Sequence, residues 1–203
     1  MLADHICAVF YNGVPAAEIV RMTFGRVAFP VFVYLLIEGF NYTRDRRRYF
    51  FNLLIIAVFS EAFYDLMFYR TPVYWLDQNT CFTLALGLVM CVCLNRLQKA
   101  GKYAPIPFIA AGFLALFWFL CDDYGLTGGL AILVSLYFRN LPAYTAMIAS
   151  AVVLALGSSG PGALIAIVPL LFYKHERGRI SRAGKYAFYI FYPAHLILLW
   201  ALS

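Results

Sequence analysis

Apolar residues fall in long blocks separated by only a few polar or turn-forming positions, at 24–42, 50–69, 80–97, 105–121, 126–138, 143–157, 161–173 and 185–202, with 1–12 resembling the second half of another. A membrane-spanning helix needs about 20 mainly apolar residues. Most of these blocks meet that length or fall slightly short of it, whereas those between 126 and 173 are short enough to be tilted, re-entrant or half-membrane pieces. The punctuation agrees: Asn12-Gly13-Val14-Pro15, Gly101 to Pro107, Gly125 to Gly129 and Gly157 to Gly162 are turn chemistry between apolar runs. The pattern predicts an all-α, polytopic transmembrane bundle of eight to nine spans. The gaps leave no room for a separate soluble fold, so residues 1–203 are expected to form one domain.

Composition strengthens this reading. The chain is 64% hydrophobic and only 13% charged, with a mean hydropathy of +0.77, against roughly half apolar and a quarter charged in soluble domains. The net charge of +6 does not point to nucleic acid, because the basic residues sit in short clusters between apolar blocks. Arg44 to Arg48, Arg96 to Lys102, Arg139 and Lys174 to Lys185 hold 13 of the 16 basic residues. With nine alternating spans all four clusters fall on one side, which is then the cytoplasmic side. The opposite loops, 13–22, 70–79, 122–125 and 158–160, carry Glu18, Asp77, Asp122 and Asp123 with only Arg21 and Arg70. Cys7, Cys81, Cys91, Cys93 and Cys121 form no CxxC or Cys/His cluster, so no metal site is expected. The first apolar stretch lacks a basic leader and a small-residue cleavage site, so no cleavable signal peptide is expected.

Ionisable side chains inside a bilayer cost a few kcal/mol each and are functional candidates by default. Here they are Asp4, His5, Arg26, Glu38, Glu61, Asp65 and His195. At about 1.5 Å of rise per residue, His5 lies roughly 10 Å below one surface and His195 roughly 15 Å above the other, so both fall near mid-membrane. Glu61 and Asp65, spaced i, i+4, share a helix face, and Arg26 and Asn79 enter from the outer ends of their helices. These residues predict a polar cavity from mid-membrane toward the outer surface. Asp4 and His5 are adjacent and point about 100° apart on a helix, so a carboxylate from another helix is expected to orient the imidazole. The structural alternative is a buried ion pair of Glu61 or Asp65 with Arg26 that fixes helix register; for His195 it is an interhelical hydrogen bond. Glu38 near its helix end reads as a snorkelling group or a partner of Arg44. His175 belongs to the solvated basic loop.

Several elements together resemble the TraX family, whose name-giving member N-acetylates conjugative pilin. They are Leu2-Ala-Asp4-His5-Ile6, Gly25-Arg26-Val-Ala-Phe29-Pro30, Glu38-Gly39-Phe40 followed by arginines, Ser60-Glu61 through Asp65, Asn79 through Thr83-Leu84, Tyr124-Gly125-Leu-Thr-Gly-Gly-Leu130 and Phe191-Tyr192-Pro-Ala-His195-Leu196. The match runs in order over nearly the whole chain and is similar, more broadly, to transmembrane acyltransferases with a histidine on an early helix. Family members carry half a helix before the Asp-His element, where this chain has Met1 to Ala3; this reads either as a start further upstream or as a shortened first helix. The resemblance implies an acyltransferase that moves an acetyl group from cytosolic acetyl-CoA to an envelope acceptor such as a pilin N-terminal amine. His5 is then the expected general base, with Glu61 or Asp65 orienting it. Asp4, Arg26, Asn79, Tyr192 and His195 are the expected acceptor or oxyanion contacts. Arg44, Arg46, Arg47, Arg48, Lys174, Arg179 and Arg182 are expected to hold the CoA phosphates. The alternative is a non-enzymatic transporter or pilus assembly subunit whose ionisable residues relay protons.

Overall fold

The computed structural model of the chain describes residues 1–120, 124–172 and 182–203, with the side chains of 143, 170, 171, 182, 183, 185, 186 and 188 outside the described set. Among the described residues every regular element is helical: α1 (Leu2–Phe10), α2 (Pro15–Thr23), α3 (Ala28–Tyr42), α4 (Arg46–Tyr69), α5 (Thr80–Lys99), α6 (Ile106–Leu120), α7 (Gly125–Phe138), α8 (Ala143–Leu156), α9 (Ile167–Leu171) and α10 (Arg182–Leu202). Short 3-10 segments occupy Gly25–Val27 and Pro161–Ala166.

Local chemistry sets the boundaries. Asp45 caps α4 by accepting from the backbone N–H of Arg48, and Arg70 ends that helix in the left-handed region at φ 58°. Asn79 caps α5 by accepting from the N–H of Cys81. Among the described residues, three stretches are long and apolar enough to cross a membrane: Pro15–Tyr42, Arg46–Tyr69 and Thr80–Lys99. The apolar helices at Ile106–Leu120, Gly125–Phe138, Tyr144–Leu156 and Tyr189–Leu202 are shorter.

Two expectations of the linear pattern change. The stretch 13–22, read as a loop, contains α2, which runs through the 3-10 turn into α3. Pro15 at its first turn and the Glu18–Arg21 pair at i, i+3 favour helix there, and its mixed polarity hides it from a hydropathy reading. The block 161–173, read as one helix, is a 3-10 segment followed by the five-residue α9 within its described part.

The helices pack as two apolar clusters. One centres on α3, whose Phe29, Val33, Leu36, Ile37 and Phe40 are buried against α5, α7 and α8. The other joins α4 and α10 through Ala57, Tyr64, Met67, Tyr192, Leu196 and Leu199. Small residues permit the closest approaches: a side chain at Gly129 would strike the buried ring of Phe117 on α6. At the basic end, Arg139 following α7 donates to Asn95 Oδ1 and Gln98 Oε1 of α5, both at 3.1 Å, which brings the second and third basic clusters together. Lys174 and Arg179 lie outside the described residues, as does the side chain of Arg182.

Gly162 packs directly on the backbone of Met22 and Thr23, leaving no space for a methyl group. Gly162→Ala is therefore expected to destabilise the fold by about 1–3 kcal/mol, read as a lowered Tm in detergent. An unchanged Tm would contradict this packing.

Candidate active site

The first and last helices each contribute a buried imidazole to one contact. His5 on α1 and His195 on α10 are 8% and 4% exposed, and His5 Nδ1 lies 3.0 Å from His195 Nε2. The rings stack at 5.1 Å between centroids with 18° between their planes. His195 Nδ1 lies 2.9 Å from the carbonyl oxygen of Phe191. A carbonyl only accepts, so this nitrogen carries the proton. With both rings neutral, His195 Nε2 is then an acceptor, His5 Nδ1 is the donor, and His5 Nε2 is left with its lone pair. Phe191 stacks on His195, and Phe68 and Tyr192 meet the two rings edge-on.

His5 lines a small polar cavity of about 20 Å³, together with Asp4, Gly25, Phe29, Thr80 and Tyr124. Asp4 makes an ion pair with Arg21 of α2 at 3.5 Å, and Arg21 also donates to Glu18 at 3.1 Å. Gly25 is a glycine for a local reason: a Cβ there would lie 2.6 Å from Asp4 Oδ1. Tyr124 is stacked on Phe29 at 3.6 Å, which fixes the far wall.

A second, apolar groove of about 450 Å³, partly open to the surroundings, runs between the two core clusters. Met1, Phe32 and Thr80 line both spaces, so the two meet beside His5. From Phe32 the groove follows α3 past Leu36 and Gly39 to Thr43 and Tyr49, a rise of about 16 Å. That end adjoins the arginine cluster. Arg44, Arg47 and Arg48 are exposed there. Arg46 is instead turned inward, 4.1 Å over the ring of Phe40 and donating to its carbonyl at 3.3 Å.

The carboxylate expected to orient His5 is replaced by His195. Glu61 Oε2 accepts from the backbone N–H and the side-chain amide of Asn79, at 3.0 and 2.6 Å, and that amide also donates to the Ala57 carbonyl. Asp65 accepts from the N–H of Tyr74 at 2.8 Å, and Asp77 accepts from the hydroxyls of Tyr64 and Tyr69. These three carboxylates therefore fasten residues 70–79 to α4. A chain segment entering apolar surroundings must have its N–H groups met, and here Asp65 and Glu61 meet those of Tyr74 and Asn79. Asn79 is wholly buried and committed to this clamp and to capping α5. Arg26 sits in the 3-10 turn, half-buried, and is not among the described residues lining either space. Tyr192 lines the groove. Thr80, Tyr124, Gly25 and Phe32 were not singled out as site residues from the sequence. The only signal for them was their place in or beside the elements that carry the family resemblance, such as Gly25-Arg26 and Tyr124-Gly125. Among the described residues no cluster of His, Cys, Asp or Glu could hold a metal ion.

With the geometry in view, the chain can be set beside known proteins. It matches the family model described as TraX protein over residues 1–203. It is 29% identical to the probable fimbrial assembly protein FimC, serogroup H1, of Dichelobacter nodosus, over 98% of this chain and 89% of that protein. No solved structure matches.

Glu61→Gln keeps an acceptor oxygen for Asn79 and is expected to leave stability within about 0.5 kcal/mol of the parent. Glu61→Ala strands two buried donors and should cost about 2–3 kcal/mol. Tm values of the two variants in detergent check this, and equal losses in both would show that the charge, not the hydrogen bonding, matters.

Proposed function

The chain belongs to the TraX family, and on that premise we propose that it is a membrane-embedded acyltransferase, moving an acyl group, acetyl in the simplest case, from acyl-CoA to an envelope acceptor such as a pilin N-terminal amine. The observation that carries the reading is the His5–His195 pair beside the junction of a polar cavity and an apolar groove that ends at exposed arginines. The fimbrial assembly description of the relative is in keeping with a pilin acceptor. The bundle is proposed to cross the bacterial inner membrane eight or nine times with its basic end cytoplasmic, the orientation that charge asymmetry favours.

In this mechanism the donor enters from the basic end. Arg44, Arg47 and Arg48 hold its phosphates, joined by Lys174, Arg179 and Arg182, and the arm follows the groove until the thioester lies beside His5. The acceptor enters the polar cavity and faces His5 Nε2. Its nitrogen attacks the thioester carbonyl, so that a C–N bond forms and the C–S bond breaks. The proton leaving nitrogen is taken by His5 Nε2 and passes on to the departing sulfur, which restores the neutral imidazole. His195 acts through His5: by accepting from Nδ1–H it fixes the tautomer that leaves Nε2 basic, and it steadies the imidazolium once formed. The role first expected of Glu61 and Asp65 is thereby filled without a carboxylate.

His5→Ala is expected to lower transfer by about 10²–10⁴-fold with membrane insertion intact. His195→Gln, which still offers an acceptor to His5 Nδ1, should retain more activity than His195→Ala. Mass spectrometry of acceptor incubated with acetyl-CoA and purified enzyme reads both, and full activity in His5→Ala would refute the base assignment. A second reading, a non-enzymatic assembly subunit, is favoured by the likeness to a probable fimbrial assembly protein. It predicts normal pilus assembly in the His5→Ala variant and no acyl transfer in any.

A further inference from the structure

The groove has more apolar room beside the histidines than a two-carbon acyl group occupies. Besides its junction with the polar cavity and its arginine end, it has a third opening. Leu35 on α3 and Phe191 on α10 both line it, yet they are 52% and 48% exposed. Leu35 lies seven residues from either end of α3, hence about 10 Å from each, and Phe191 lies near the middle of α10. The mouth is therefore lateral, at mid-height. The helices framing it belong to different core clusters, α3 packing on α5, α7 and α8, and α10 on α4 and α1. Of the groove lining, Phe32, Leu35, Ile56 and Phe191 carry no charge and no hydrogen-bonding side chain, and Tyr189 and Tyr192 flank Phe191.

The mouth adjoins the reacting end of the groove. Phe191 stacks on His195 at 5.2 Å, and Phe32, one helical turn from Leu35, also lines the polar cavity. The three ends thus differ in chemistry. The arginine end suits phosphates, the polar cavity suits a nucleophile, and the lateral mouth suits a hydrocarbon chain attached to the carbonyl that the first two bring together. We propose that this mouth seats the acyl tail of the donor, and that the protein takes acyl thioesters longer than acetyl in preference to it. This deepens the acyltransferase reading and rests on it. The bonds that form and break are unchanged, since the tail lies beyond the carbonyl carbon.

The test measures Kd values of acetyl-, butyryl- and hexanoyl-CoA for the full chain in lipid nanodiscs, alongside transfer to acceptor. Affinity is expected to rise about fourfold per methylene seated in the groove. Leu35→Trp should flatten that rise, lowering the affinity for hexanoyl-CoA more than that for acetyl-CoA, and Leu35→Ala should preserve it. Ile56→Trp, which narrows the groove from the α4 side, provides a second block should Leu35→Trp fail to fold. Equal Kd values along the series, or a block that weakens acetyl- and hexanoyl-CoA alike, would overturn the proposal. Transfer from acetyl-CoA with no gain for longer chains leaves the enzyme reading standing and removes this one. Chain-length-dependent binding without transfer from any thioester keeps the acyl seat and removes the enzyme reading.

Discussion

One hydrogen bond between imidazoles 190 residues apart joins the beginning of the chain to its end. In an interior this apolar, a ring nitrogen has no water to turn to, and each unmet polar group costs several kcal/mol. The contact of His5 with His195 satisfies one such nitrogen on each ring, and the Phe191 carbonyl satisfies a third. It draws α1 onto α10 and so places His5 where the polar cavity and the apolar groove meet. The fourth nitrogen, His5 Nε2, belongs to the ring that lines the cavity. The same economy of partners that orders the fold therefore leaves the lone pair of His5 Nε2 for the proposed chemistry.

That constraint also explains the carboxylates. Glu61, Asp65 and Asp77 would be costly beside lipid without donors, and each finds them in the segment joining α4 to α5 or in neighbouring tyrosines. The result is a tied-down connection that caps α5 through Asn79 and presents Trp75 and Leu76 outward, 84% and 74% exposed. Buried charge here holds backbone in place, and the histidines are left as the groups whose geometry suits proton transfer.

Much of this was legible in the sequence because it rests on short-range pattern. Apolar blocks and Gly/Pro punctuation fixed the all-helical class and most boundaries, and the depth argument put His5 and His195 at matching heights. The basic residues of α5 and Arg139 do share one end. What escaped was pairing across distance. The i, i+4 spacing of Glu61 and Asp65 tells that they share a face, but not that a loop lies on that face to receive them. Nothing in the spacing of Asp4 and His5 reveals that the partner of the imidazole is a second imidazole. α2 was missed because nine residues of mixed polarity give no hydropathy signal, and its stability comes from packing against α1 and the Pro161–Ala166 segment. The groove is likewise a gap between two cores, which no linear pattern records.

By accepting from His5 Nδ1–H, His195 sets the tautomer of His5 and leaves the lone pair on His5 Nε2. Nitrogen-15 NMR of the histidine-labelled protein in lipid, with His5 and His195 distinguished from His175 by substitution, reads this directly. The spectra are expected to show protonated Nδ1 on both buried rings, unprotonated Nε2 on both, and a coupling across the Nδ1–H···Nε2 hydrogen bond from His5 to His195. A proton on His5 Nε2, or the absence of that coupling, would contradict that tautomer.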